Sequence, residues 1–407
     1  MAYICDIDKC TGCGACVASC PKGCISLSPD QMGVLHWSID EATCMDCGLC
    51  AKACPNVNRP SFHYPLSCHA AWTTDVNKRA DCASGGIGTL IAEHVIEHKN
   101  GVFFGTAYDE TLIPRTMWTE SKEGLSVFKG SKYVQGTTDR SSFKKLKDFL
   151  DEGRWVAYVA TPCQVAGLRS FLSRDYDRLV TIDLICHGVC PYSYFGEWIS
   201  EEMRHHGLEV IDNVRFRGND GNNYRTTLWS KGNRIDLGDY NTDFYLAGFL
   251  NGVTLRDNCF SCEYARPDRV ADLTIGDFLG LGKDTPFAYK VGNVSSVTLN
   301  TAKGESFYCG MLAEKTDLQS HARDYAERLK YRPSLLEPAA RHPLNKRFKA
   351  CYVKLGFVRA IKRTMWFFLW RKRLSVKLKR RWVSFYKRLG KWRRQVRVLF
   401  LIGEDKK

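Results

Sequence analysis

The sequence predicts a mixed α+β and α/β chain in three parts: a small cysteine-wrapped domain over residues 1–62, an α/β domain over 63–338, and a basic amphipathic helical tail over 339–407. Three observations carry this division. A cysteine pattern occurs twice before residue 55, strand and helix signals alternate after Pro60 and Pro65, and the charge balance changes abruptly at Arg341. At 407 residues the chain has room for two or three domains and a sizeable core.

The first part rests on spacing. Cys10, Cys13, Cys16 and Cys20 read C-x2-C-x2-C-x3-C-P, and Cys44, Cys47, Cys50 and Cys54 repeat it 34 positions later. Three thiolates on a tight loop wrap one iron–sulfur cubane, and the fourth serves the other cluster. One 4Fe–4S cluster is therefore expected on Cys10, Cys13, Cys16 and Cys54, and a second on Cys44, Cys47, Cys50 and Cys20. Gly12, Gly14 and Gly48 let the loop backbone approach the sulfides. A zinc site takes four ligands in isolated pairs, which this interleaved eight does not offer. Residues 1–60 resemble a bacterial two-cluster ferredoxin.

In the second part, Ser84-Gly85-Gly86-Ile87-Gly88 opens a helical pattern to about His98, and Gly101–Gly105 reads as a strand. A Gly-rich turn at a helix N-terminus suits a phosphate, although such turns are common. Lys129-Gly130-Ser131-Lys132-Tyr133 adds two cations and a hydroxyl; its plain reading is a solvated turn. Trp155–Ala160 and Leu179–Ile185 read as strands joined by a helix over Gln164–Leu172, a parallel βαβ unit. Cys163 and Cys186 then follow two strand ends at the carboxyl edge, where open α/β sheets bind ligands. Cys259 and Cys262 form C-x2-C before a strand at Leu273–Ile275, completing four thiols, the number for a third cubane or a zinc.

Ser84-Gly85-Gly86, Lys129 to Gln135, Thr161-Pro162-Cys163-Gln164, Cys186-His187-Gly188, Cys259-x2-Cys262 and Ile275-Gly276-Asp277-Phe278 together resemble the coenzyme F420 hydrogenase/dehydrogenase beta-subunit family over roughly residues 65–310. The resemblance implies FAD beside an iron–sulfur cluster. It implies that Ser84, Gly85, Gly86, Ser131, Lys132 and Tyr133 help hold the flavin, and that Cys163, Cys186, Cys259 and Cys262 ligate the adjacent cluster. Cys190 stands as an alternative ligand to Cys186. His187 is the catalytic proton-donor candidate; a hydrogen bond to a cluster sulfide is the plainer reading. Asp277 is either a turn former or a flavin contact, and Cys5, Cys24, Cys68, Cys82, Cys309 and Cys351 are expected to be structural. Coenzyme F420 is itself a cofactor of relatives in larger complexes, whereas the fused ferredoxin and basic tail suggest a stand-alone member.

The third part explains the charge. Residues 341–407 carry 23 Lys and Arg against two acids, leaving 36 basic and 42 acidic groups elsewhere, so the overall +15 comes from the tail. Leu374, Leu378, Trp382, Phe385, Leu389, Trp392, Val396 and Leu399 recur at steps of three and four, one stripe along a helix with a cationic opposite face. That pattern, with Trp366-Phe367-Phe368-Trp370, suits an anionic membrane surface. Docking on the body or a partner is the alternative; nucleic acid is disfavoured because it would leave the apolar stripe idle.

No signal-peptide pattern opens the chain, no window has the ~18–20 apolar residues of a spanning helix, and 19 cysteines in metal-type spacings fit a reducing compartment. The expected location is cytoplasmic, peripheral on the inner face of the membrane. The expected function is an FAD- and 4Fe–4S-dependent oxidoreductase between a ferredoxin or other redox protein and a two-electron organic acceptor, in either direction. The alternative is an electron-transfer subunit with no substrate of its own, feeding a partner enzyme.

Overall fold

A computed structural model describes residues 3–218, 224–289, 292–331 and 333–403, with side chains as far as Leu374. Strands β1 (Ile25–Pro29) and β2 (Leu35–Ile39) form an antiparallel hairpin with Ile25 opposite Ile39. The cysteine duplication is visible as a structural one. The short helices Ala15–Ser19 and Leu49–Lys52 each start after a left-handed glycine, Gly14 (φ 82°) and Gly48 (φ 71°). Glycine takes that backbone without the strain a Cβ adds.

The body is built on an eight-stranded sheet. Its strands are β3 (Ser67–Thr73), β4 (Val102–Tyr108), β5 (Pro114–Thr119), β6 (Val156–Ala160) and β7 (Leu179–Leu184), followed later in the chain by three more. A separate antiparallel sheet of β8 (Asn213–Arg215), β9 (Arg225–Ser230) and β10 (Asn233–Asp239) intervenes before β11 (Leu273–Asp277), β12 (Ser295–Leu299) and β13 (Leu318–Arg323). The large sheet runs β13-β3-β12-β11-β7-β6-β4-β5. Its centre, β11-β7-β6-β4, is parallel, and the flanking pairings are antiparallel. Four carboxyl ends therefore point to one edge. The expected βαβ unit is present as β6, the helix Pro162–Leu172 and β7. The helix opens two residues earlier than the pattern suggested, which places Cys163 in its first turn.

Alternation along the strands builds two cores. Phe103 and Ala157 face the helices Ile87–Lys99 and Ala302–Glu314, packing with Leu90, Ile91, Phe307 and Met311. Val102, Phe104, Val156 and Tyr158 face the opposite way, toward the helices Arg140–Asp151 and Pro162–Leu172. A further core joins the helix Tyr192–His206, the small sheet, the helix Phe244–Leu250 and the start of the C-terminal helix.

The C-terminal helix begins inside that core. The helix Leu344–Gly403 is interrupted at Gly356 (φ 73°), where the Phe357 N–H donates to the Glu197 carboxylate. Phe348, Phe357, Ile361, Met365 and Leu369 are buried in the body. At roughly 1.5–3 kcal/mol per buried large side chain, this segment is core and not a detachable appendage. Its amphipathic face is spent on the protein as far as Leu369. Trp366, Phe367 and Trp370 remain outside, stacked on one another and about half exposed or more. The side chains of Leu378, Trp382, Phe385, Leu389, Trp392, Val396 and Leu399 lie outside the described residues; the backbone there continues as helix. Among the described residues no helix is long and apolar enough to cross a membrane.

Candidate functional site at the carboxyl edge

A cavity of about 670 Å³ opens at the carboxyl edge of the parallel strands, within the range of ligand sites. Its wall includes Ser84, Gly86, Ser131, Lys132, Tyr133, His187 and Asp277 among the expected residues, and also Cys163, Cys186, Cys259 and Cys262. Gly85 lies behind the wall. A Cβ there would sit 2.5 Å from the Ala71 carbonyl oxygen and 2.7 Å from the Ser295 nitrogen, so its role is close packing of the turn on β3 and β12.

Two features of this wall suit an anion. The helix Ile87–Lys99 starts at Gly86 (φ 91°) with no side-chain cap, so its first N–H groups and positive dipole end face the cavity. Opposite it, Gly130 (φ 91°) and Ser131 (φ 57°) turn the backbone so that Lys132 enters the wall. The Lys132 ammonium donates to the carbonyls of Val127 (2.7 Å) and Lys129 (2.9 Å), and burial pushes it down to about 7. Gln135 Nε2, at the wall, is buried with no hydrogen-bond partner. Such groups are costly unless a ligand or water meets them.

Tyr133 stacks on Phe249 at 4.2 Å between centroids. Asp277, at the end of β11, accepts from Arg217 through both oxygens, at 2.7 and 3.2 Å. It is thus a member of a buried ion pair, not a simple turn former. His187 packs edge-on against Phe249.

The four dispersed thiols are brought together. Cys186 is pushed up by burial and by the negative field of Cys259, Cys163 and Cys262, and Cys262 is pushed up to about 12 by burial and Cys163. Thiols held this high stay protonated unless a metal replaces the proton, a donor set suited to a thiolate-ligated centre. Cys190 does not join them. It is fully buried away from the wall, with its sulfur 3.2 Å from Thr254 Oγ1.

Two arginines organise the set, and sequence reasoning passed over both. Arg256 donates from Nε to Cys259 Sγ (3.4 Å), approaches Cys163 Sγ from Nη2 (3.9 Å), and donates from Nη1 to the Thr11 carbonyl (2.6 Å). Arg269 donates to the Tyr264 and Arg266 carbonyls and pairs with Asp183 at 3.0 Å, fastening the C-x2-C loop to β7. The only sequence signal was an isolated Arg three residues before Cys259.

The cysteine-rich module docks directly on this edge. Asn258 Nδ2 donates to the carbonyls of Asp8 and Cys10, and a Cβ on Gly167 would sit 2.8 Å from Cys13 Sγ. Gly14 leaves no room for a Cβ either, at 2.4 Å from the Thr138 carbonyl oxygen. Cys13 lies in the negative field of Cys10 and Cys163, Cys16 in that of Cys13 and Cys10, and Cys54 in that of Cys13 and Cys16. Cys20, Cys44, Cys47 and Cys50 line a second small hollow, with Cys47 exposed. Each set has a fifth thiol that was expected to be merely structural: Cys5 beside Cys10 and Cys54, and Cys24 Sγ 3.3 Å from Cys20 Sγ. Cys82 likewise lines the large cavity.

Two segments of the chain match known families. Residues 9–57 match the 4Fe-4S dicluster domain, and residues 153–322 match the family described as the C terminus of the coenzyme F420 hydrogenase/dehydrogenase beta subunit. An uncharacterized protein of Methanocaldococcus jannaschii is 25% identical over 354 residues, covering 74% of this chain and 86% of that protein. A chain of the F420-reducing nickel–iron hydrogenase complex of Methanosarcina barkeri aligns with a TM-score of 0.42 at 14% identity, over 64% of this chain and 82% of its own. The chain thus carries an N-terminal segment similar to 4Fe-4S dicluster domains and a central segment similar to the C terminus of that beta-subunit family.

Proposed function

We propose that this chain, which joins a 4Fe-4S dicluster domain to the C-terminal domain of the F420 hydrogenase/dehydrogenase beta subunit, is an FAD-dependent oxidoreductase. With clusters held within residues 10–54 and by Cys163, Cys186, Cys259 and Cys262, the chain would carry single electrons between a ferredoxin-type donor and the cavity, where they would reach a two-electron acceptor, in either direction. The observation that carries the reading is the order of the thiol sets. The exposed Cys47 marks the outer set, Cys13 sits against Gly167 in the inner set, and Cys163, whose field reaches Cys13, belongs to the cavity wall itself.

FAD fits the cavity's own features. The uncapped N-terminus at Gly86 and the cation of Lys132 would receive the pyrophosphate, and Gln135 Nε2 would gain the acceptor it lacks. When bound, the flavin supplies the exchange between one-electron and two-electron chemistry. Arg256 holds positive charge at Cys259 and Cys163, favouring thiolates over thiols. The side chain of His187 lines the same wall, within reach of a proton-donor role. The acceptor is a small organic molecule, coenzyme F420 included, or the redox partner in a larger complex.

Anaerobically purified protein should carry about one FAD per chain, bleached on adding a reduced ferredoxin. Protein that holds iron and sulfide but no reducible flavin refutes the reading. An acceptor screen then separates an enzyme, which turns over a small molecule, from a subunit that reduces only a partner protein.

Trp366, Phe367 and Trp370, with Arg363 and Arg371 in the same turns, support peripheral attachment to an anionic bilayer. Because Phe348, Phe357, Ile361, Met365 and Leu369 are buried in the body, the informative truncation removes 375–407 together with Trp366→Ala and Trp370→Ala. That variant should no longer sediment with anionic vesicles; sedimentation like the full chain removes the membrane assignment.

A further inference from the structure

The helix whose N-terminus lines the cavity carries a second cluster of ligating groups about three turns further on. His94 and His98 are four residues apart and therefore share one face, with their rings stacked at 5.4 Å. Facing them is Glu314, the last residue of the helix Ala302–Glu314. Its Oε2 lies 3.2 Å from His94 Nδ1 and 3.4 Å from His98 Nδ1, and one ligand atom from each of the three residues falls within 4.8 Å of the others.

Ordinary packing does not account for His94. The residue is completely buried, yet neither ring nitrogen has a hydrogen-bond partner, because the short approach to Glu314 lacks the alignment of a hydrogen bond. Burial holds the imidazole well below its usual value, so it stays neutral. A buried neutral imidazole with idle nitrogens beside a carboxylate is an unsatisfied arrangement as it stands. The surrounding charges leave the spot available. Lys99 approaches only the other carboxylate oxygen, Oε1, at 3.5 Å, and Lys315 is engaged by Glu93 and Glu97.

We propose that His94, His98 and Glu314 bind a divalent transition-metal ion of the Zn2+ class. Two imidazoles and one carboxylate are a known ligand set for such ions, with the remaining position open to water on the exposed side. The ion would clamp the cavity-lining helix to the helix Ala302–Glu314. It draws on none of the cysteines, so it is independent of the redox centres.

The test uses tag-free full-length protein with its clusters assembled anaerobically, exposed to ZnCl2, desalted and assayed for zinc and iron. Wild type should retain about one zinc per chain. His98→Ala and Glu314→Gln, both at exposed positions, should bind roughly tenfold or more weakly with unchanged iron and circular dichroism. Co2+ in place of zinc should give a visible spectrum without sulfur-to-metal charge transfer. Wild type that retains no zinc, variants that retain as much as wild type, or a thiolate-type cobalt spectrum lost only on cysteine substitution would each overturn the site.

Discussion

The eight cysteines of the N-terminal module and the four of the central sheet are two ways to assemble the same kind of donor set. The first is local: each triplet sits on one loop turned by a left-handed glycine, and its fourth member comes from the duplicate 34 residues away. The second is made by topology. Cys163 and Cys186 come from the ends of β6 and β7, and the Cys259–Cys262 loop reaches them from before β11. A loop-borne set needs little from its surroundings, whereas a set assembled by a sheet needs fasteners. Arg269 and Arg256 serve that purpose here.

Breaking a fastener should therefore separate the two regions. Arg269→Met removes one partner of a fully buried ion pair and should cost about 3–5 kcal/mol in denaturant unfolding. Iron at the central thiols should fall while the dicluster module keeps its own. An unchanged unfolding midpoint would show that the loop is held by something else.

Arg256→Met tests the charge at the thiols. It should slow electron transfer to the cavity by roughly 10–100-fold, as loss of a group hydrogen-bonded to a metal ligand does. It should also lower the reduction potential of the proposed third centre, since a nearby cation favours the reduced, more negative state. Cluster potentials equal to wild type in a voltammetric titration would break that link.

The smallest effect is expected at Lys132. Its native value, about 7, lies below the ordinary lysine range. Folding is thus penalised below about pH 7, where the native state must hold the buried proton, and the penalty fades as pH rises toward the unfolded value. FAD affinity should run the other way, falling severalfold as pH rises through about 7 and the cation is lost. Lys132→Met should flatten that profile in a flavin-binding titration; a profile that keeps its slope assigns the titration elsewhere.

The contrast between the regions also explains what was legible in the sequence. Spacing marked the eight N-terminal cysteines because their geometry is local, and strand ends marked Cys163 and Cys186 because the βαβ rule fixes where such ends point. The choice between Cys186 and Cys190 was not legible; it depends on which thiol lines the cavity and which is turned to Thr254. Gly167 gave no signal, and Gly14 was legible only as a cluster-loop glycine, because the space each leaves is filled by the other module. The tail was legible only in part: an amphipathic stripe says that a helix will be covered, not by what, and Ile361, Met365 and Leu369, which precede the stripe that begins at Leu374, are covered by the body itself. His94 and His98 went unremarked because Glu314 is 216 residues from the nearer of them in sequence.

The central claim is that the sheet-edge thiols hold a third iron–sulfur centre, and an iron and acid-labile sulfide count tests it most directly. Anaerobic wild type should hold about twelve of each per chain, Cys186→Ala about eight, and Cys190→Ser the full wild-type content. About eight in wild type, or equal content in wild type and Cys186→Ala, would contradict it.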